Sequence, residues 1–186
     1  KLNLTNLTKI IPLENTTLSG YLVSDAKIIG RLNDIESAAL DKFTATGRLT
    51  ATNLIYQTHD MNEALKLYNA QIILDNENIN IPMFDAELGK NDLKFKGDFK
   101  NFYSYLFKNK TLRGNGILTS KNLNLNDFLS EDTEGASAEM TLVEIPGNID
   151  MQLTTSIDKL IYDDLTLTDF TGTFGVANKA LSMQRI

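Results

Sequence analysis

Few side chains in this sequence have the types and spacing that catalysis requires. His59 is the only histidine, and it stands beside Asp60 in a polar stretch, where a solvated surface position is the ordinary interpretation. The serines belong to no Gly-x-Ser-x-Gly pattern and have no base nearby in the sequence. Because there is no cysteine, disulfides, a thiol nucleophile and Cys-ligated metals are excluded. We therefore predict that the chain is not an enzyme and that it uses no cofactor.

Carboxylates and glycines supply two further candidate sites, and neither has the spacing that its chemistry needs. Asp75, Glu77 and Asp85 do not have the arrangement of a calcium-binding loop, and Asp is common in turns for backbone reasons. Gly114-Asn115-Gly116 resembles a phosphate-binding loop in composition only. It lies inside an alternating pattern, where close backbone packing explains glycine better. The sequence accordingly predicts no metal site.

Charge and hydrophobicity narrow the classes of partner. The 186 residues include 18 Lys and Arg against 24 Asp and Glu, a net charge of -6, and no basic cluster stands out. We therefore expect no nucleic-acid binding, and the acidic balance argues against simple electrostatic docking on an anionic membrane. The hydrophobic fraction of 42% suffices for a core. No apolar run approaches 18 residues, so we expect no membrane span within this sequence.

Period-two alternation is the dominant pattern and indicates the elements. Across residues 42–52, apolar or small side chains alternate with Lys, Arg and Thr, which is typical of a strand with one dry and one wet face. The pattern recurs as far as Val176, with turn signals at residues 75–78 and 89–92 between the runs. We predict an all-β domain, a curved antiparallel meander sheet that is either an open β-groove or sandwich-like. A few short helices are expected, at residues 33–42, 102–107 and 126–130.

The chain is interpreted as one β-rich domain over residues 1–186, a fragment of a longer protein. Residues 130–140 are small and acidic, and they predict a mobile loop between two repeat-like parts. The repeat is indicated by Asn53-Leu54-Ile55-Tyr56, which is similar to Lys159-Leu160-Ile161-Tyr162. A second similarity, between residues 65–67 and 165–167, follows each of these motifs, with a shorter loop in the second copy.

The apolar strand face admits two interpretations that periodicity alone leaves open. It is either an ordinary core buried between two sheets, which base rates favour, or an open apolar trough for acyl chains. An open trough would also need protected sheet edges, for which Lys94, Lys96, Lys100 or Arg113 are candidates. The candidate lipid-binding residues on this face are Phe43, Leu49, Ile72, Leu74, Ile79, Ile81, Leu93, Phe95, Leu112, Leu118, Phe170 and Phe174.

Several motifs in their order along the chain carry a family resemblance. Residues 20–35 and 43–56 form a glycine-spaced opening that ends in Leu-Ile-Tyr, and residues 93–102 read as an apolar strand, a glycine and an Asn before a short helix. Residues 116–129 follow that helix, and residues 145–150 precede the second Leu-Ile-Tyr. In this order the motifs resemble the AsmA-like family of bacterial envelope proteins, in particular its C-terminal-type region in Bacteroidetes. The resemblance covers most of residues 18–186.

The resemblance implies a non-catalytic module of the periplasm that serves outer-membrane assembly. The full-length protein would be anchored in the inner membrane, although the family's N-terminal anchor does not occur in this sequence. Relatives of the family are the repeating β-groove lipid-transfer proteins, so the implied ligands are phospholipid or fatty acid, and the implied protein partners belong to the envelope. The alternative is a closed β-sandwich of an exported protein, with a structural role or a protein or glycan partner.

Overall fold

The structure is a computed structural model that describes residues 1–10, 15–29, 44–59, 61–128 and 147–184. The helix predicted at residues 33–42, the candidate residue Phe43 and the acidic loop predicted at residues 130–140 lie outside these described residues. Strands dominate the described part of the chain. They are β1 Leu2–Asn3, β2 Thr16–Ile29, β3 Thr44–Thr58, β4 Leu65–Asp75, β5 Asn78–Leu88, β6 Asn91–Lys100, β7 Leu112–Ser120, β8 Leu123–Asn124, β9 Ile149–Tyr162, β10 Leu165–Ala177 and β11 Ala180–Gln184.

Two short α-helices and a 3₁₀ helix complete the described elements. Helix α1 covers Leu4–Ile10, α2 covers Phe102–Lys108, and the 3₁₀ helix covers Leu125–Phe128. The helix predicted at residues 102–107 is therefore confirmed. Of the helix predicted at residues 126–130, the described part belongs to a single 3₁₀ turn that begins one residue earlier, and residues 129 and 130 lie outside the described residues.

The eleven strands of the described residues form one open sheet. Its order is β1-β2-β3-β4-β5-β6-β7-β9-β10-β11, and β8 pairs with β9 beside this path. Nearly every neighbouring pair is antiparallel, which confirms the all-β, antiparallel prediction. The described strands do not divide into two packed sheets, so the closed sandwich of the alternative interpretation is not the fold.

One junction departs from the predicted meander. Strands β7 and β9 are parallel, with Leu112 opposite Ile149 and Ser120 opposite Ile157. After β7 the chain continues through β8 and the 3₁₀ helix, and it re-enters the sheet beside the start of β7. There the amide of Leu112 donates to the carbonyl oxygen of Asn148 at 2.9 Å. A strand that enters from the same end as its neighbour must run parallel to it, and side-chain periodicity carries no information on strand direction.

The turns follow the residue types that the sequence supplies. Asn76 and Asn178 have φ of 36° and 53°, and Gly89 has φ of 59°. Asn and Gly tolerate this left-handed conformation better than other residues, and tight hairpins require it. The turns predicted at residues 75–78 and 89–92 are thereby confirmed.

Two irregularities keep apolar side chains on one side despite odd spacing. Pro82 has no N–H for the sheet ladder, and the register of β5 with β6 shifts between Ile81 and Phe84. Gly20, with φ of 108°, lies where the register of β2 with β3 shifts, and a Cβ there would lie 2.5 Å from the carbonyl oxygen of Asn53. The extra residue belongs to β5 at the first shift and to β3 at the second, so each of these two strands resumes with its apolar side chains on the original face.

The basic residues proposed to protect sheet edges lie elsewhere. Lys94, Lys96 and Lys100 belong to β6 and Arg113 belongs to β7, and both strands are paired on each side. The prediction that they protect edges is therefore wrong. The outermost strands are instead β1 and β11, and both are short.

Buried apolar side chains form two small clusters rather than one continuous core. One cluster consists of Leu67, Ala70 and Ala86. The other consists of Leu123, Ile157 and Leu160. Each is assembled from strands that are close neighbours in the sheet. Among the described residues, the most buried large hydrophobic side chain is that of Ile157, at 3% exposure. Lateral packing within one layer therefore accounts for both clusters.

Candidate functional site: the apolar face of the sheet

The strand register places most apolar side chains on one side of the sheet, which is named here the apolar face. Residues directly opposite each other on antiparallel strands point to the same side. Leu49 pairs with Ile72 across β3 and β4, and Phe95 pairs with Leu118 across β6 and β7. Further pairs on the same face are Leu22–Ala51, Leu74–Ile79, Ile79–Phe99, Ala86–Leu93, Gly116–Leu153, Leu153–Phe174 and Val176–Leu181.

The described members of the predicted lipid-binding set all lie on the apolar face. They are Leu49, Ile72, Leu74, Ile79, Ile81, Leu93, Phe95, Leu112, Leu118, Phe170 and Phe174. Leu112 is buried, and the others are half-buried. The twelfth member, Phe43, lies outside the described residues. The structure thus brings these side chains together on one surface, and their contact with lipid stays a prediction.

Glycines allow an aromatic ring to lie flat across the middle of this face. A Cβ on Gly97 would lie 2.6 Å from Cζ of Phe95, and a Cβ on Gly116 would lie 2.6 Å from Cε2 of the same ring. The ring of Phe95 therefore covers both glycines on two adjacent strands. Phe99 stacks beside it, with ring centroids 6.1 Å apart. The centre of the apolar face is consequently flat, because ring faces and backbone replace projecting side chains.

The apolar face is the more shielded side of the sheet, yet it is not sealed. On β9, Thr155, Ile157 and Leu160 are buried, whereas Ser156 between them on the other side is exposed. Helix α1 packs on β2, and α2 packs on β5 and β7. Side chains such as Leu49 are half-buried, as expected where the described residues place no second layer above the sheet.

Formal charge is confined to the other side of the sheet, named here the polar face. At the regularly paired positions of the described strands, the apolar face holds no Asp, Glu, Lys or Arg. On β6 and β7, for example, the polar face carries Lys94, Lys96, Asp98 and Arg113. A ligand on the apolar face would therefore meet hydrocarbon and aromatic surface, and it would find no ionic partner there.

A three-residue network on the polar face contains the clearest pKa shifts. Nζ of Lys66 lies 2.8 Å from Oε1 of Glu87, and the hydroxyl of Tyr68 donates to Oε2 of Glu87 at 2.8 Å. The hydrogen bond from Lys66 is the largest influence that lowers the pKa of the Glu87 carboxyl. The same network raises the pKa of both Lys66 and Tyr68. Lys66 and Tyr68 are exposed and Glu87 is partly exposed, so the network connects β4 to β5 without forming a reactive centre.

Two shallow depressions also lie over the polar face. The larger, about 560 Å³, is bordered by Val23, Arg48 and Gln71. The smaller, about 300 Å³, is bordered by Met83 and Lys94. Both are open and include charged or amide side chains, so neither offers the purely apolar surroundings that a hydrocarbon chain needs.

A buried asparagine organises the end of the sheet at which β5 turns into β6, named here the Asn91 end. Asn91 is 1% exposed. Its Nδ2 donates to the carbonyl oxygen of Leu88 at 3.1 Å and to Oδ2 of Asp127 at 2.7 Å, and its Oδ1 accepts the amide of Asn124 at 2.6 Å. A buried amide with these partners avoids the cost of unsatisfied polar groups.

Asp92 fixes the neighbouring chain segment by accepting several hydrogen bonds at one oxygen. Its Oδ1 accepts the amides of Lys121 and Asn122, each at 2.9 Å, and the hydroxyl of Ser120 at 3.2 Å. Together, Asn91 and Asp92 hold the segment that follows β7 against the turn between β5 and β6. The Asn-rich motif at residues 116–129 therefore has a structural role at this end of the sheet.

The candidate catalytic and metal-binding residues do not converge. His59 is exposed, and its backbone amide donates to the carbonyl oxygen of Asn15 at 3.1 Å. Asp85 lies 3.8 Å from Nζ of Lys94, so it has a cationic neighbour. In the part of the chain that the structure describes, no three His, Asp or Glu side chains form a group able to hold a metal ion. A membrane-crossing helix is also not found among the described residues.

Sequence reasoning missed several members of the apolar face. Phe84 and Ala86 continue it beyond the shift at Pro82, and Leu54 and Leu67 continue it beyond Asn53, which has φ of 49°. Counting every second residue assigns side chains to the wrong face beyond each of these points. Pro82 inside an alternating run was the available signal, because proline is confined to irregular positions in a central strand.

Fold and site together define a class of protein by geometry: a single-layer, open β-sheet with one uncharged apolar face and one polar face. Comparison with known proteins gives no matching family model, no matching curated protein and no matching solved structure. The resemblance to the AsmA-like family therefore stays a prediction from the sequence motifs.

Proposed function

We propose that the apolar face holds the hydrocarbon chains of phospholipid or fatty acid, and that the protein performs no chemistry on them. One observation carries this proposal: a continuous, uncharged apolar face on a single open sheet. Such a surface favours the hydrocarbon chains of a lipid, because these are recognised by shape and apolar contact. It also explains why ionic groups are kept on the opposite side.

The energetics suit a lipid ligand without a charged anchor. Each methylene group removed from water contributes about 0.8 kcal/mol, so several methylenes on the face suffice for measurable binding. The sheet path has ten strands, and a spacing of about 4.8 Å makes the face roughly 45 Å wide. In a bilayer an acyl chain spans about half of a hydrocarbon core that is roughly 30 Å thick. The face is therefore large enough for a whole acyl chain.

The resemblance to AsmA-like proteins supports a place for this activity in the bacterial envelope. In this proposal the domain is a periplasmic part of a longer protein that is anchored in the inner membrane. It contributes phospholipid handling to outer-membrane assembly, together with other envelope proteins. The support for this location is the order of the sequence motifs.

The test is mass spectrometry of organic extracts from the purified protein, with a control protein from the same cells. Ile72 and Ile73 provide matched variants, because they are adjacent, chemically identical and both half-buried, and they point to opposite faces of β4. We expect enriched phospholipid or fatty acid in the unaltered protein. Ile72→Asp should remove it, because a carboxylate on the apolar face opposes hydrocarbon contact, whereas Ile73→Asp should retain it.

Circular dichroism accompanies each variant, so that loss of lipid is interpreted only in a folded protein. Clean extracts from the unaltered, folded protein would contradict the proposal. Equal loss of lipid in the two folded variants would also contradict it, because lipid would then not distinguish the faces.

A further inference from the structure

The end of the sheet opposite the Asn91 end carries helix α2, and it is named here the α2 end. The amide of Phe102 donates to the carbonyl oxygen of Glu77 at 2.7 Å, which fixes the start of the helix to the turn between β4 and β5. Asn109, with φ of 51°, ends the helix, and its Oδ1 accepts a hydrogen bond from Nδ2 of Asn148 at 2.8 Å. Helix α2 is therefore held at both ends, and its outer surface has a defined position.

An apolar side chain projects from this helix. Leu106 is 51% exposed. Helical spacing places it over Phe102 and Tyr103, whose rings pack edge to face with centroids 5.9 Å apart. The outer surface of α2 thus has a leucine backed by aromatic rings. Leucine and tyrosine together are typical of segments that settle at a membrane–water interface.

The charge around α2 differs from that of the whole chain. Between Asp98 and Asp127 there is no acidic residue, while the same stretch contains Lys100, Lys108 and Lys110. All three of these lysines are exposed. The acidic net charge of -6 therefore does not describe α2 itself, beside whose last turn Lys108 and Lys110 lie. The acidic side chains of this end lie next to the helix instead: Asp75 and Glu77 at the turn between β4 and β5, and Asp150 on β9, 3.6 Å from Nε of Arg113.

We propose that the α2 end docks on a bilayer surface that contains anionic lipid, with Leu106 inserted and Lys108 and Lys110 against the headgroups. Charge complementarity selects this partner over a neutral surface. The lysines favour the anionic headgroups, and the exposed leucine favours the apolar layer beneath them. The strands would then stand away from the membrane, with the Asn91 end outermost. This docking is independent of whether the apolar face carries acyl chains.

The test is co-flotation of the full chain with vesicles, either of phosphatidylcholine alone or of phosphatidylcholine with one third phosphatidylglycerol. We expect flotation with the anionic vesicles at low salt, a loss at high salt, and little flotation with neutral vesicles. Lys108→Gln with Lys110→Gln should weaken partitioning about 30-fold, since each lysine near an anionic surface is worth about five-fold. The matched control is Lys90→Gln with Lys121→Gln, which removes the same charge at the Asn91 end.

The contribution of insertion is tested separately. Leu106→Ala should weaken partitioning roughly ten-fold, because fewer carbons enter the interface. Leu165→Ala, at a leucine of similar exposure beside the turn between β9 and β10, should leave partitioning unchanged. All altered side chains are exposed, so the variants should keep the circular dichroism spectrum of the unaltered protein.

Each remaining outcome has a definite meaning. Equal weakening by the two lysine pairs would overturn the proposal, because binding would then follow net charge rather than the α2 end. No flotation with either vesicle, or equal flotation with both, would also overturn it, and a protein partner for this end would become the better hypothesis. None of these flotation results would change the interpretation of lipid found in extracts of the protein.

Discussion

Replacing Gly116 with alanine tests whether the ring of Phe95 lies on the sheet as the structure shows. A Cβ at this position would lie 2.6 Å from Cε2 and 3.0 Å from Cζ of Phe95, and 3.2 Å from Cδ1 of Leu153. These distances are too short for carbon atoms, so the ring must lift. The lifted ring would lose its contact with the backbone of β6 and β7.

Two opposing contributions set the magnitude. Alanine in a strand is favoured over glycine by about 0.5–1 kcal/mol, because the unfolded chain has less freedom to lose. Overpacking against a ring costs about 1–3 kcal/mol. Gly116→Ala should therefore lower the free energy of unfolding by roughly 0.5–2 kcal/mol. In a Phe95→Ala background the overpacking against the ring is absent and only the contact with the flexible end of Leu153 remains, so the same change should be neutral or stabilising by up to about 1 kcal/mol.

Urea unfolding followed by circular dichroism measures all four members of this double-mutant cycle. Gly114 provides a control of the opposite kind, because its Cβ would clash mainly with the backbone. It would lie 2.5 Å from the carbonyl oxygen of Asp98, and farther, at 3.2 Å, from Cδ1 of Phe99. Gly114→Ala should stay destabilising when Phe99 is changed to alanine, since the backbone contact persists. A Gly116→Ala cost that is equal with and without the Phe95 ring would refute the packing described here.

Three further changes have expected outcomes. Asp92→Ala should lower the free energy of unfolding by about 1–3 kcal/mol in urea titrations, because two amides and a hydroxyl lose their acceptor. Gly47→Ala should cost at least about 1–3 kcal/mol in the same assay, because its φ is 127° and a Cβ would meet the backbone of Asp25. The pKa of Glu87 is held below its ordinary value, so its stabilising effect is present above the unfolded-state pKa and is lost as the pH falls through the folded pKa. Carboxyl NMR should show this pKa rising in Lys66→Met, and an unchanged pKa would contradict the assigned cause.

The sequence predicted which side chains share a face because a strand alternates its side chains strictly by two. Leu93, Phe95 and Phe99 illustrate this, since they alternate without interruption and lie together in the structure. Where the strand is irregular, the same reasoning fails. Pro82 moves the phase by one residue, and Phe84 was missed for that reason. The proline itself could have shown where the strand is irregular, although not how many residues the irregularity adds.

Two other features are not encoded in local patterns. Strand direction depends on where a connection re-enters the sheet, so the parallel pairing of Leu112 with Ile149 could not be predicted from alternation. Likewise, an apolar strand face has the same period whether a second sheet covers it or not. Whether a second sheet covers the face is therefore known only from the structure, in which Leu49 and Ile72 are half-buried in one open layer.

Photo-crosslinking with a diazirine-bearing fatty acid tests the central claim most directly. Strand β6 is the best reporter, because apolar-face and polar-face residues alternate along it: Leu93 and Phe95 on one face, Lys94 and Lys96 on the other. Peptide sequencing by mass spectrometry should place the adducts on Leu93 and Phe95. Adducts on Lys94 and Lys96 instead, or spread equally over both sets, would contradict the claim that the apolar face holds the hydrocarbon chain.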